Sequence, residues 1–279
     1  MPDESALWKI ALDLGLTIVR PFAGGVWGAT LVTDAGGREL VLKTMPTEMW
    51  PKVFARGASL ANRLRDDGYP APEYVGTGAA HGATWSLQRV LPGEIPDVVS
   101  ESHMRQLLAL AGRHANAVPG GQGARLAHQT LYLNMSLRTI TQERTTRDLA
   151  LELSAVLERT KDVPLLDDGV VHNDFHHRNF LAIGNDVTGV FDWEFADIGD
   201  WPYDLTTLAW WSTRMRFAVA KLAVDRMYEV CEPDVLALFA AVRTISQLDF
   251  DARNNPDFLP GLIESIEAHV APWWRAAFS

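Results

Sequence analysis

The sequence predicts an α+β protein of two unequal lobes, and three observations carry that prediction. Residues 17 to 90 alternate β-rich runs with turn signals, a Pro-Gly break follows at LPGE, and helical patterns dominate after residue 100. The N-terminal stretch MPDESALWKIALDLGL reads as a helix over 3–14 capped by Asp3 or Ser5. Three antiparallel strands are expected between Thr17 and Thr44. They are separated by Gly24-Gly25 and by Asp34-Ala35-Gly36-Gly37, the second of which is a hairpin signal. A helix from Trp50 to Asp67 stops at Gly68, and strands near 73–77 and 83–90 complete a small sheet. The break LPGE sets a boundary between 1–92 and 93–279, with a cleft expected between the lobes. Helices are expected near 101–117, 143–160, 204–229, 233–249 and 259–277, interrupted only by a hairpin around 169–193.

Composition narrows the function classes. A chain of 279 residues with 47% hydrophobic residues buries a large core. Its one cysteine, Cys231, lies in an apolar helical stretch and reads as a buried thiol, so no disulfide or thiolate metal framework is available. No apolar run approaches the roughly 18 residues that span a membrane, and a cytoplasmic protein is expected. The formal net charge is −10, concentrated from Val190 onward, where fourteen acids face seven bases. Such a field disfavours nucleic acid and anionic membranes and attracts cations, although composition alone favours the plainer reading, solubility.

The chemistry sits in VHNDFHHRNFLAIGNDVTGVFDWEF, residues 171 to 195. His172, Asp174 and Asn179 occupy one loop, and Asp192 ends the return strand after the turn Gly184-Asn185-Asp186. An antiparallel hairpin brings Asn179 and Asp192 together, and both offer the oxygen ligands that Mg²⁺ takes. Asp174 stands where a carboxylate orients a substrate hydroxyl and accepts its proton.

These residues resemble the aminoglycoside phosphotransferase and choline kinase superfamily, through HNDFHHRN (172–179), FDWEFADIGD (191–200) and YDL (203–205). The resemblance implies a protein-kinase-like fold, with a small antiparallel β-sheet N-lobe of five strands and a mainly helical C-lobe. It implies ATP as donor, with GTP possible, Mg²⁺ as cofactor, and a small-molecule hydroxyl as acceptor. Lys43 in ELVLKTM matches the lysine that holds the ATP phosphates, the turn with Gly24 and Gly25 fits a cover over them, and backbone near Arg89, Val90 and Leu91 fits an adenine-binding hinge. One departure stands out. Relatives carry a glutamate on the first-lobe helix to pair with the lysine, but here that place falls near Gly57 and no acid lies between Glu48 and Asp66. Either Glu48 reaches Lys43, or nucleotide and metal-bound groups alone hold the lysine.

Plainer roles compete at several positions. His172 reads as a loop-holding residue, and Asp204 as an N-cap or a brace for the catalytic loop. His176 and His177 are adjacent, so their side chains diverge, which argues against zinc. Trp210-Trp211 and Trp273-Trp274 read as core packing, with an aromatic cage for a quaternary ammonium as the alternative.

The expected activity is therefore an ATP- and Mg²⁺-dependent phosphotransferase acting on a cationic small molecule, an aminoglycoside or other basic antibiotic, as monomer or homodimer. Asp249, Asp251, Asp257, Glu264 and Glu267 are the candidates to receive its ammonium groups. A choline- or ethanolamine-type kinase competes within the same chemistry, and a pseudokinase module without turnover is the alternative of another class.

Overall fold

The structure is a computed structural model that describes residues 4–22, 28–47, 50–115, 117–118, 127–165 and 168–278. It divides into two compact units, residues 1–97 with 178–197, and residues 98–177 with 198–279. The division is not a single cut in the chain, because the hairpin that carries Asn179 and Asp192 packs with the first unit rather than with the helices around it.

The first unit opens with α1 (Glu4–Asp13), whose expected cap Asp3 lies outside the described residues. Strands β1 (Thr17–Pro21), β2 (Ala29–Thr33) and β3 (Glu39–Met45) follow, then α2 (Pro51–Asp66), β4 (Tyr74–Ala80) and β5 (Ala83–Arg89). The five strands form one antiparallel sheet in the order β1-β2-β3-β5-β4. At the β2–β3 turn the Asp34 carboxylate accepts from the amides of Gly36 and Arg38 at 2.9 and 3.0 Å, and Gly37 takes a φ of 77°, which glycine adopts without steric cost. Ala6, Ile10 and Ala11 recur on one face of α1 and bury against Val32, Leu40, Leu42 and Leu87 of the sheet. That packing fixes β3, and with it Lys43.

In the first unit's later segment, β7 (Phe180–Ile183) pairs with β8 (Asp186–Val190), and a 3-10 turn, Trp193–Phe195, follows. Trp193 is fully buried; its indole donates to the Val190 carbonyl at 2.8 Å and its ring meets Tyr69 edge-on. Phe195 packs edge-on against Phe54 of α2. The turn is thereby clamped to α2.

The second unit is helical: α3 (Glu101–Gly112), α4 (Ala127–Gln142), α5 (Arg147–Arg159), α6 (Pro202–Ser212), α7 (Phe217–Val230), α8 (Pro233–Asn254), α9 (Leu259–His269) and α10 (Ala271–Arg275), with a short pair of β6 (Gly169–Val171) and β9 (Asp197–Gly199). Three differences from expectation have local causes. The helix expected over 204–229 is two helices, because Ser212 and Thr213 hydroxyls turn back onto the carbonyls of Ala209 and Trp210 and compete with continued helix. The helix expected over 259–277 breaks at Val270, where Pro272 has no N–H to continue the ladder. Helix α4 was not expected at all. Its sequence, AHQTLYLNMSLRTITQ, mixes polar and β-branched residues so that its apolar stripe is weak. Cys231 is buried, and burial pushes its thiol up to about 12. Among the described residues, no helix is long and apolar enough to cross a membrane.

Candidate active site

Lys43 sits in the middle of β3, paired with Ala29 on β2 and directly opposite Ser86 on β5. Its ammonium is nearly buried and binds two carboxylates, Asp192 and Glu194, the latter at 2.9 Å. Burial alone would lower the lysine's pKa, but the two carboxylates outweigh it and the value is raised. Glu194 is 2% exposed, and its other oxygen accepts from the Ser86 hydroxyl at 2.8 Å. Burial raises the Glu194 carboxyl, Lys43 works against that rise, and Asp192 adds to it. Two acids on one base leave this corner a negative charge in excess when all three are ionised.

Asp192 differs from Glu194 in exposure. It stands at a φ of 74°, a left-handed conformation that a non-glycine residue adopts rarely, and 39% of its side chain is exposed. Across the β7–β8 pair the Phe191 amide donates to the Asn179 carbonyl at 3.0 Å, which brings the two strand ends that carry Asn179 and Asp192 side by side. Asn179 itself is buried.

In the second unit, the loop after β6 hangs on one carboxylate. Asp204, fully buried in the first turn of α6, accepts from the amides of His172 at 2.7 Å and Asn173 at 3.1 Å, and is held by His114 Nδ1 at 2.9 Å. Of its two expected roles it takes the brace, not the cap. His172, also fully buried, accepts from the Asp174 amide at 3.3 Å, and Phe175 meets His172 and His114 edge-on. Asn173 takes a φ of 69°, which turns the chain sharply just before Asp174.

The Asp174 carboxylate is 43% exposed and faces His176 at 3.2 Å and Arg243 at 3.5 Å. Desolvation works to raise its pKa, but His176, Arg243 and His172 prevail and hold it well below the usual carboxylate range. Arg243 comes from α8, donates to Gln247 at 2.6 Å, and lies over the rings of Trp210 and Trp211.

A sequence model described as a phosphotransferase enzyme family matches residues 18–239, which takes in Lys43, Asp174, Asn179, Asp192 and Glu194 and stops short of Arg243. The chain belongs to that family. Among solved structures, this phosphotransferase is similar to a thermostable mutant of aminoglycoside phosphotransferase APH(4)-Ia in ternary complex with ADP and hygromycin B. The two are 17% identical, with 94% of this chain and 97% of that one covered and a TM-score of 0.68. It is similar also to an aminoglycoside-3'-phosphotransferase of type VIII, at 19% identity, 86% and 97% coverage and a TM-score of 0.62. A third is an amicoumacin kinase in complex with AMP-PNP and Ca2+, at 14% identity, 99% and 93% coverage and a TM-score of 0.64. At such identities the likeness is one of fold, and it is the protein-kinase-like α+β fold that the sequence predicts. Among curated proteins, none matches the phosphotransferase in sequence.

The remaining expected residues fall as follows. Gly24, Gly25 and Glu48 lie outside the described residues. The Arg89 amide is taken by the Glu73 carbonyl at 2.9 Å, Val90 is exposed, and Leu91 packs on Gly189. The five acids expected to receive ammonium groups do not present one face. Asp249 is buried and accepts from Ser136 and Arg253, both within 3 Å. Asp251 is engaged by Gln247 and Asn255 of its own helix and the residue after it. Glu267 pairs with Arg275 at 2.8 Å, while Asp257 and Glu264 are exposed. Both tryptophan pairs carry core packing: Trp210, Trp273 and Trp274 are buried, and the Trp210 and Trp211 faces already hold Arg243 and Arg214.

Sequence reasoning missed Glu194 and Arg243. The first had a signal in the second acid of DWEF, two residues past Asp192. The second had one in the lone charge inside the apolar run LALFAAVRTI.

Proposed function

We propose that this phosphotransferase moves the terminal phosphoryl group of ATP to a hydroxyl of a small molecule. One observation carries the reading: the partly exposed Asp174 carboxylate stands beside His176 and Arg243, on a loop that the buried Asp204 fixes. An anion of low basicity suits a loose phosphoryl-transfer transition state, in which the attacking hydroxyl keeps its proton until late. Asp174 orients that hydroxyl by accepting its hydrogen bond. As the new O–P bond forms and the β–γ bridging P–O bond breaks, the proton passes to the carboxylate and then to water, and ADP leaves.

Lys43 supplies a fixed positive charge for the α- and β-phosphates. Asn179 and Asp192 would hold Mg²⁺: both offer hard oxygen donors, they lie on adjacent strand ends, and Asp192 is partly exposed toward any incoming ion. When bound, the ion neutralises triphosphate charge. GTP is an alternative donor, and backbone near Arg89, Val90 and Leu91 is the proposed hinge, with Val90 and Leu91 offering the amides because that of Arg89 is engaged.

For the acceptor we propose an aminoglycoside or another basic antibiotic. Its support is the pair of fold neighbours captured with hygromycin B or named for amicoumacin, together with the net charge of −10. Asp257 and Glu264 are the acids exposed to meet it. A choline-type acceptor, which the HND and DWEFADIGD motifs suggest, loses the aromatic-cage argument, since arginines occupy the Trp210 and Trp211 faces. The pseudokinase alternative loses its own, since Lys43 has a glutamate partner.

The test is an acceptor screen in a coupled ADP-release assay, with hygromycin B, kanamycin-type and peptide antibiotics and choline, and mass detection of one added phosphate. Phosphorylation of a basic antibiotic is expected. ATP and Mg²⁺ that stabilise the protein without ADP release on any acceptor would overturn the proposal.

A further inference from the structure

The helix that should carry the lysine's partner carries a glycine, and the reason is visible from the other side of the contact. Gly57 faces the Trp193–Phe195 turn so closely that a Cβ on it would lie 2.2 Å from the Trp193 carbonyl oxygen and 2.9 Å from that of Glu194. No backbone tolerates that approach, so any side chain at 57 would push the turn away from the sheet. The turn delivers Glu194 to Lys43. Lys43 and Ser86 are opposite one another on β3 and β5, so their side chains share a face, and each takes one oxygen of the Glu194 carboxylate. With both oxygens engaged and 2% of its surface exposed, Glu194 is poorly placed to ligate an ion, unlike Asp192 two residues earlier.

We propose that Glu194 is the residue that positions Lys43 for the nucleotide, replacing an acid on α2, and that Gly57 is required because it admits the Glu194 turn. The inference rests on the reading of Lys43 as the triphosphate-binding lysine. It assigns Glu194 and Asp192 separate tasks: the first, with both oxygens engaged, holds the lysine, and the second, which also meets Lys43 but is partly exposed, takes the metal.

The test is a double-mutant cycle on the full chain, read by calorimetry with ADP and Mg²⁺. Glu194→Gln is expected to lower ADP affinity about tenfold, as Lys43→Met does, and the double variant should lose no more than either alone. The Mg²⁺ concentration that half-saturates binding at fixed ADP should stay within about twofold of wild type in Glu194→Gln. Gly57→Ala should reproduce the loss, again without adding to Glu194→Gln. A wild-type affinity in Glu194→Gln, additive losses, or a shifted Mg²⁺ requirement would each overturn the assignment, the last by making Glu194 a metal ligand. The same cycle read by urea unfolding without nucleotide separates the two proposals. If the wild type binds no ADP, the proposed function falls. Glu194 then stands as the holder of Lys43 if the unfolding cycle is non-additive, and is rejected if it is additive.

Discussion

At Lys43 two carboxylates face one ammonium, whereas at Asp174 one carboxylate faces a guanidinium and an imidazole. Both clusters join a strand or loop to a distant segment, yet they are composed differently. The first sets two acids against one base. The second sets one acid against a guanidinium and an imidazole, which hold it well below the usual carboxylate range. The contrast teaches that one kind of contact serves two ends under the proposed function, one cluster receiving a ligand and the other lowering the pKa of a single acid.

The contrast can be broken most sharply at Asp174. Asp174→Asn is expected to reduce phosphoryl transfer by about a thousandfold while ADP affinity by calorimetry stays within about twofold, since the variant keeps the loop and loses only the anion. Next comes the brace. Asp204→Ala orphans the amides of His172 and Asn173 and the His114 ring, and a loss of about 3 kcal/mol or more in urea unfolding is expected. A variant with wild-type stability would mean the loop holds itself.

On the other side of the comparison, Asp192→Asn should weaken ADP binding about tenfold in Mg²⁺ and leave it unchanged in EDTA. Equal losses in both would place the metal elsewhere. The gentlest probe is pH. Because Asp174 is depressed in the folded chain, it contributes stability above its unfolded pKa of about 3.9, and that contribution is lost as pH falls through the lower folded value. Turnover should therefore persist on the acid side below the ordinary carboxylate range for as long as the chain stays folded. In Arg243→Met the acid limb should move up in pH, and in Arg243→Lys it should stay close to wild type. Identical limbs in all three would show that the arginine does not set the charge state of Asp174.

What was legible in the sequence follows from distance along the chain. His172, Asp174, Asn179 and Asp192 lie within 21 residues and one hairpin, so spacing alone points to their chemistry. The five-stranded sheet was legible because its turns carry Asp-Ala-Gly-Gly and its helices end at glycine or proline. The partners of these residues were not. Glu194 meets Lys43 across 151 positions, and Arg243 meets Asp174 across 69, so both depend on how elements pack rather than on local pattern. No acid on α2 marks the lysine's partner for the same reason, since the partner arrives on another segment that only the missing side chain at Gly57 admits. Asp249 and Asp251 misled for the converse reason: composition registers a carboxylate, while burial and neighbours decide whether it has anything left to offer.

The bare backbone at Gly57 has a consequence for control. In protein kinases the lysine's glutamate rides on a mobile helix, and swinging that helix outward turns the catalyst off. Here the acid that meets Lys43 travels on the same short segment as Asp192, the proposed metal ligand, and not on α2. On that assignment, an outward swing of α2 would not by itself carry the acid away from Lys43.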